Sequence, residues 1–405
     1  MTTRTIAVVF ASTTVLLVHS TVSLAVDSGA AGTQPSANNP TQMSNPMQTG
    51  LSSLFAFGVA SEADKTVQEL QGGGHDPNRN GFTVQNVELT FGGAVDPYLD
   101  AQANIVLQID DSGSTVVELE EVYALTRGLP GGVQAKAGQF FTEFGRQNAT
   151  HPHTWAFVDQ PVMLNRAFGP DGLRSQGARL SWLTPTPWYS ELYVGAQNAN
   201  GETTTSFMFA PNEEVGGHLL QDRRTRRMLY LLRWLNGFDV GDAVSVNLGL
   251  SGLNGPNATG GDTTTRIYGA DTYLKWTPLR NQRGFPFVAW QTEFIQRRYE
   301  AGDAGAADHE VLKDWGGYTQ LLWGFQSGWV AGLRWERADG SGANGTDPLR
   351  DARTRVAANV TWYPTEYSKL RLQLNRDDAE HLDKAVNALW LQVEYNLGSH
   401  AAHTF

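Results

Sequence analysis

Cysteine is missing from all 405 residues. That excludes disulfide staples and thiolate metal centres alike. Long apolar runs are missing beyond the opening segment, and the best later stretch, Met228-Leu-Tyr-Leu-Leu-Arg-Trp-Leu235, is interrupted by Arg233. A bilayer-spanning helix needs about eighteen uninterrupted apolar residues, so a helical membrane protein is excluded. Positive charge is in deficit, with a formal net charge of −11, which argues against a nucleic-acid partner. Gly-x-Ser-x-Gly, phosphate-loop and metalloprotease helix motifs are absent, and neither catalysis nor a cofactor is expected.

What is there begins with a short basic segment, Met1-Thr-Thr-Arg4, followed by apolar residues from Ile6 to Val18 and by Ser23-Leu24-Ala25. This is the pattern of a secretory signal, expected over residues 1–25 and cleaved after Ala25. Residues 26–50 are rich in Ser, Thr, Asn, Gln, Gly and Pro and read as a flexible lead-in. Residues 51–405 read as one domain. An exported chain without cysteine must draw its stability from a closed, well-buried architecture.

The domain has a period of two. In Leu99-x-Ala101-x-Ala103-x-Ile105-x-Leu107-x-Ile109 the odd positions are apolar, while Asp100, Gln102, Asn104, Val106, Gln108 and Asp110 stand between them. Leu370, Leu372 and Leu374 likewise alternate with Lys369, Arg371, Gln373 and Asn375, and Leu389, Leu391, Val393 and Tyr395 with Gln392, Glu394 and Asn396. Such a strand has one face in a greasy medium and one face wet. About sixteen strands of this kind follow one another, the first at 51–60 and the last at 386–397.

Their connections alternate in length. Asp96-Pro97, Leu129-Pro-Gly-Gly132, Thr184-Pro-Thr-Pro187 and Gln326-Ser-Gly328 are short, whereas 61–81, 141–176 and 199–225 are long and polar. Asp111-Ser-Gly-Ser114 is short where a long loop is due. Trp182, Trp188, Trp234, Trp276, Phe325, Trp329 and Trp362 gather beside the short turns, as in an interfacial aromatic girdle. The expected fold is all-β: a closed antiparallel transmembrane barrel of about sixteen strands in a Gram-negative outer membrane, with both termini periplasmic.

The terminal Phe405 resembles the assembly signal of outer-membrane barrels, which implies the barrel-assembly machinery as a partner beside membrane lipids and lipopolysaccharide. Ala137-Gly-Gln-Phe-Phe-Thr-Glu-Phe-Gly145 resembles the strand-and-loop motif of the phosphate-selective porin O/P family, in which a Gly-polar-Phe segment precedes a Phe-Gly turn. Gly177-Ala-Arg-Leu-Ser-Trp182 resembles that family's next strand. The resemblance implies a trimeric porin whose third long connection, 141–176, folds inward as a constriction loop. Its charged residues would be Glu143, Arg146, His151, His153, Asp159, Arg166, Asp171 and Arg174. The family's phosphate-specific members carry a constriction rich in lysine and arginine; here three arginines are offset by three carboxylates.

Parity assigns the inward face. The early strands supply mainly acids, including Glu88, Glu118 and Glu120, and the strands from 226 onward mainly bases. Arg353, Arg355, Lys369 and Arg371, with Arg334 and Arg297, form an expected basic wall, and the first four lie on neighbouring strands with few acidic partners. Such a wall would repel itself unless anions or the inward loop answered it. Glu121 falls on the lipid-side register. His151-Pro-His153 and His400-x-x-His403 have ligand-like spacings, but two ligands do not make a site and no metal is expected. The expected function is passive diffusion of small hydrophilic solutes or ions. The alternative is a substrate-specific channel for an anion such as phosphate or for metal ions. A barrel lipase or protease would need a Ser–His or carboxylate pair that the pattern does not supply.

Overall fold

A computed structural model describes residues 47–109, 113–209, 214–221, 225–303, 305–341 and 350–398. The expected signal, nearly all of the lead-in, Asp110, the histidines at 400 and 403 and Phe405 lie outside the described residues. In chain order the strands are β1 Gln48–Ala60, β2 Gly81–Ala94, β3 Leu99–Ile109, β4 Thr115–Thr126, β5 Val133–Phe141, β6 Arg174–Leu183 and β7 Tyr189–Asn198. A small hairpin, β8 Glu214–Val215 and β9 His218–Leu219, precedes β10 Met228–Val240, β11 Val244–Pro256, β12 Thr264–Trp276 and β13 Phe287–Ala301. The chain ends with β14 Glu310–Gln326, β15 Trp329–Ser341, β16 Arg353–Thr365, β17 Ser368–Ala379 and β18 Val386–Gly398. All but the small hairpin join in one closed antiparallel barrel of sixteen strands. It closes between β1 and β18, in register from Gly50↔Gly398 to Ala60↔Ala388. β1 starts three residues before the expected boundary at 51.

The period of two becomes an inverted protein. On β17, Leu372 and Leu374 are exposed on the outside while Arg371, Gln373 and Asn375 are buried inside. A barrel in a bilayer needs this order, because lipid rather than water meets its outer surface. Trp182, Trp188, Trp234, Trp276 and Trp362 near the short turns are exposed on that surface, and the half-buried Trp329 stacks on Trp362 with centroids 5.7 Å apart.

One extra residue disturbs the count. Asn104 on β3 pairs with Glu121, but Ile105 pairs with Leu119, so Glu120 is a bulge residue of β4. A bulge shifts side-chain parity by one. Leu119 and Val122 remain outside, and Glu120 and Glu121 both turn inward and are buried. The lipid-side assignment of Glu121 is therefore corrected.

The long loops carry the only α-helices among the described residues, α1 Asp64–Leu70 and α2 Val162–Phe168. Five of the seven residues of α2 (Val162, Met163, Leu164, Ala167 and Phe168) are buried, and Gly169 ends it at φ 81°. A helix apolar on most of its surface belongs inside a core. It packs against β13, β14 and β15, in a cluster with Phe144, Phe207, Leu231, Ile267, Ile295 and Tyr318. The wet lining expected for every strand is thus replaced here by a dry one.

Candidate functional site

The β5–β6 loop, residues 142–173, lies inside the barrel and touches strands on both sides of it. Leaving β5, it reaches β11 and β13: Gly145 N donates to Ser251 Oγ at 3.1 Å, and the Arg146 and Gln147 amides donate to the Glu293 carboxylate at 2.8 and 3.2 Å. Gly145 has φ 61°, and a Cβ there would sit 1.7 Å from Glu293 Oε1. Only glycine allows both the left-handed turn and the close approach. The Arg146 guanidinium lies 3.8 Å over the Tyr273 ring of β12.

The loop then returns to the acidic strands. His151 Nδ1 lies 3.3 Å from Glu88 Oε1 on β2 and 2.9 Å from Glu120 Oε2 on β4, and its Nε2 lies 3.0 Å from Glu121 Oε2. His153 Nδ1 meets Glu88 Oε2 at 3.2 Å. Burial pushes the His151 imidazole toward neutrality, but Glu88 and Glu120 outweigh burial and hold its pKa well above the usual value.

Beyond His153 the loop lies against the basic strands, and the expected scarcity of partners for the basic wall is corrected. Asp159 is 1 % exposed. It accepts hydrogen bonds from Arg334 Nη2 (2.5 Å), Arg355 Nη1 (3.1 Å), Asn375 Nδ2 (2.5 Å), Gln373 Nε2 (3.2 Å) and Gln71 Nε2 (3.2 Å). Burial raises its pKa, yet Arg334 and Arg355 prevail and hold it below the usual carboxylate value. Asp377 pairs with Arg353 (2.6 Å) and Arg355 (2.9 Å), and Glu394 with Lys369. Backbone carbonyls complete the set: Leu70 accepts from Arg353 and Arg355, His153 from Lys369, and Trp155 from Arg371. These cations are covered by loop and paired rather than left facing one another.

No family model matches the chain. A protein of Aquifex aeolicus (strain VF5), described only as uncharacterized, is 31% identical, the match covering 87% of this chain and 78% of that one. The chain belongs to that protein's family. Among solved structures, the anion-selective porin from Comamonas acidovorans matches with a TM-score of 0.54 at 8% identity, over 87% of this chain and 99% of that one. Pseudomonas putida OprB matches at 0.52 and 11% identity, over 87% and 94%. Vibrio cholerae OmpT in a trimer form matches at 0.51 and 9%, over 87% and 99%. At such identities the likeness is one of fold, that of the outer-membrane porins.

In this member of the Aquifex protein's family the remaining expected site residues divide by surroundings. Glu143 pairs with Lys136 (3.5 Å) and Arg179 (2.9 Å). Arg166 donates to Asp351 O at 2.6 Å, and burial brings its pKa down to about 10. Arg297 joins Asp314 at 2.7 Å and donates to Arg166 O at 3.0 Å. Arg174 pairs with Glu118 and lies 3.9 Å from Glu120. Asp171 comes within 4.0 Å of His75; burial, with Glu120 beside it, raises its pKa. Gln71, His75 and Asp377 were not among the expected site residues. Parity does place Asp377 inward, but nothing in the 61–81 loop marks His75 or Gln71 as packing against residues 150–160.

Proposed function

We propose that this chain is a passive outer-membrane channel for small hydrophilic solutes or ions, its water-filled path narrowed by residues 141–176. The observation that carries this reading is the β5–β6 loop lying within a closed barrel that is apolar outside and charged inside. Both termini would face the periplasm, and three copies would associate in a bilayer of phospholipid and lipopolysaccharide after assembly by the barrel-insertion machinery. Selectivity would rest with the half-buried charges Lys136, Glu143, Arg146 and Lys275, since Arg334, Arg355, Lys369 and Arg371 are at most 2 % exposed and paired. A mixed set of this kind favours general diffusion over phosphate selectivity.

The test is a planar-bilayer recording of the purified protein under a salt gradient. Discrete conductance steps with a modest reversal potential are expected. A folded preparation that never conducts removes the channel reading.

A further inference from the structure

Four elements meet where the loop passes β2 and β4. Glu88 is 1 % and Glu120 1 % exposed, and one ligand atom from each, with one from His151, lie within 4.8 Å of one another. The cluster is more than a group of acids. His151 Nε2–H donates to Glu121 Oε2 at 3.0 Å, and Glu121 is itself fixed by the Phe141 amide at 3.0 Å. That leaves Nδ1 aimed between Glu88 and Glu120, at 3.3 and 2.9 Å, and neither contact has the angle of a hydrogen bond. A histidine that gives one ring N–H to a carboxylate and presents the other nitrogen is the usual preparation of a metal ligand. Glu88 is oriented in the same way, by Asn104 Nδ2 and by His153 Nδ1.

A second, independent feature points into the same place. His75, 3 % exposed, comes from the β1–β2 loop. Its Nδ1–H donates to Gln85 O at 3.1 Å, so Nε2 is the nitrogen that faces the cluster, 3.8 Å from Glu120 Oε1. Neither His75 Nε2 nor either oxygen of Glu120 has a hydrogen-bond partner. Buried polar atoms left so are costly and rare. The charge count agrees: Glu88, Glu118, Glu120, Glu121 and Asp171 converge here, against the fixed cations Arg174 and, on the Glu121 side, Lys136.

We propose that Glu88, Glu120 and His151, with His75 as the fourth ligand, bind one divalent first-row transition cation and so fasten the β5–β6 loop to β2 and β4. Tetrahedral nitrogen and oxygen ligands about 2.0 Å from zinc stand roughly 3.3 Å apart. His151 Nδ1 is 2.9 Å from Glu120 Oε2 and 3.3 Å from Glu88 Oε1, and His75 Nε2, 3.8 Å from the other Glu120 oxygen, must move in to complete the set. Imidazole nitrogen with carboxylate oxygen favours zinc or nickel over magnesium and calcium. The proposal does not rest on conductance.

The experiment uses the folded full barrel in detergent, stripped with chelator, loaded with zinc chloride, freed of excess by gel filtration and assayed for metal, with a calorimetric titration in parallel. The wild type should retain one zinc per chain and should not retain magnesium. Glu120→Gln combined with His151→Gln should abolish retention, and His309→Ala, in an outer loop, should leave it unchanged. Glu121→Gln keeps all four ligands and should weaken zinc about 10- to 100-fold, which gives an answer even where the double variant does not fold. Absence of retained zinc in the folded wild type overturns the proposal, and so does equal retention in the double variant. Unchanged affinity in Glu121→Gln counts against it as well. None of these results bears on whether the barrel conducts.

Discussion

Asp159→Asn is the substitution that most directly tests how the inner loop is held. The side chain keeps its volume but loses the charge that faces Arg334 at 2.5 Å and Arg355 at 3.1 Å, both buried. Taking one partner from a buried ion pair costs ~3–5 kcal/mol when the other charge stays behind uncompensated; here Arg334 keeps Glu336 at 3.0 Å and Arg355 keeps Asp377 at 2.9 Å. The amide still accepts one hydrogen bond, so the lower end, ~3 kcal/mol, is the expected loss. At about 1.36 kcal/mol per decade this moves the docked–undocked equilibrium of the loop roughly 160-fold. Three loop amides report it: Val158 N bonds Gln373 at 2.9 Å, Gln160 N bonds Asp76 at 2.8 Å and Val162 N bonds Glu336 at 2.6 Å. Their hydrogen exchange should accelerate by about two orders of magnitude, while amides in β10–β13 keep their wild-type protection. Because the folded carboxyl is held below its usual value, its contribution is complete above about pH 4 and disappears as pH falls through the lower folded value. Wild-type docking should therefore show no Asp159-dependent loss between pH 5 and 8. Unchanged exchange at all three amides in the variant would falsify the ion-pair account of docking.

Gly145→Ala must either push Glu293 aside or abandon φ 61°, at about 1–2 kcal/mol for the left-handed conformation alone. The Arg146 and Gln147 amides should lose their protection, and retained protection would show that the wall yields easily. Arg146→Gln with Lys275→Gln removes two half-buried cations and should shift the reversal potential toward cation preference. An unchanged potential would take both out of the conducting path. Deleting residues from 146 to 170 should raise single-channel conductance in preparations that fold, and a pore of unaltered size would place the constriction elsewhere.

The barrel was legible because its signal repeats. Leu370 to Asn375 and Leu389 to Asn396 each state the same inside–outside order, and a wrong parity in any one strand is corrected by its neighbours. The site was less legible because its order is not periodic. Glu121 was placed on the wrong face by one bulge residue, Glu120, that no local pattern announces. The four cations of β16 and β17 were readable as inward, but their partners Asp159, Leu70 and Trp155 stand in two loops remote in sequence. The apolar side of α2 was hidden too: Val162 to Phe168 contains only seven residues, too short for a helical period to stand out from a polar loop.

The reach of Asp159 has a consequence for how the chain is assembled. The loop that carries it belongs to a hairpin of the first half, β5 and β6, while the arginines it joins arrive on β15 and β16. Arg334 and Arg355 lie 175 and 196 residues from it along the chain. Until the second half of the wall is in place Asp159 lacks both of its arginines, although His151 and His153 already meet β2 and β4. Until the loop swings across, each guanidinium keeps only the carboxylate on its own side of the barrel, Glu336 for Arg334 and Asp377 for Arg355. Full docking of the loop around Asp159 and completion of the wall are therefore coupled. A chain altered only at position 159 should then be slower to reach the closed ring, although no strand-to-strand bond of that ring has been touched.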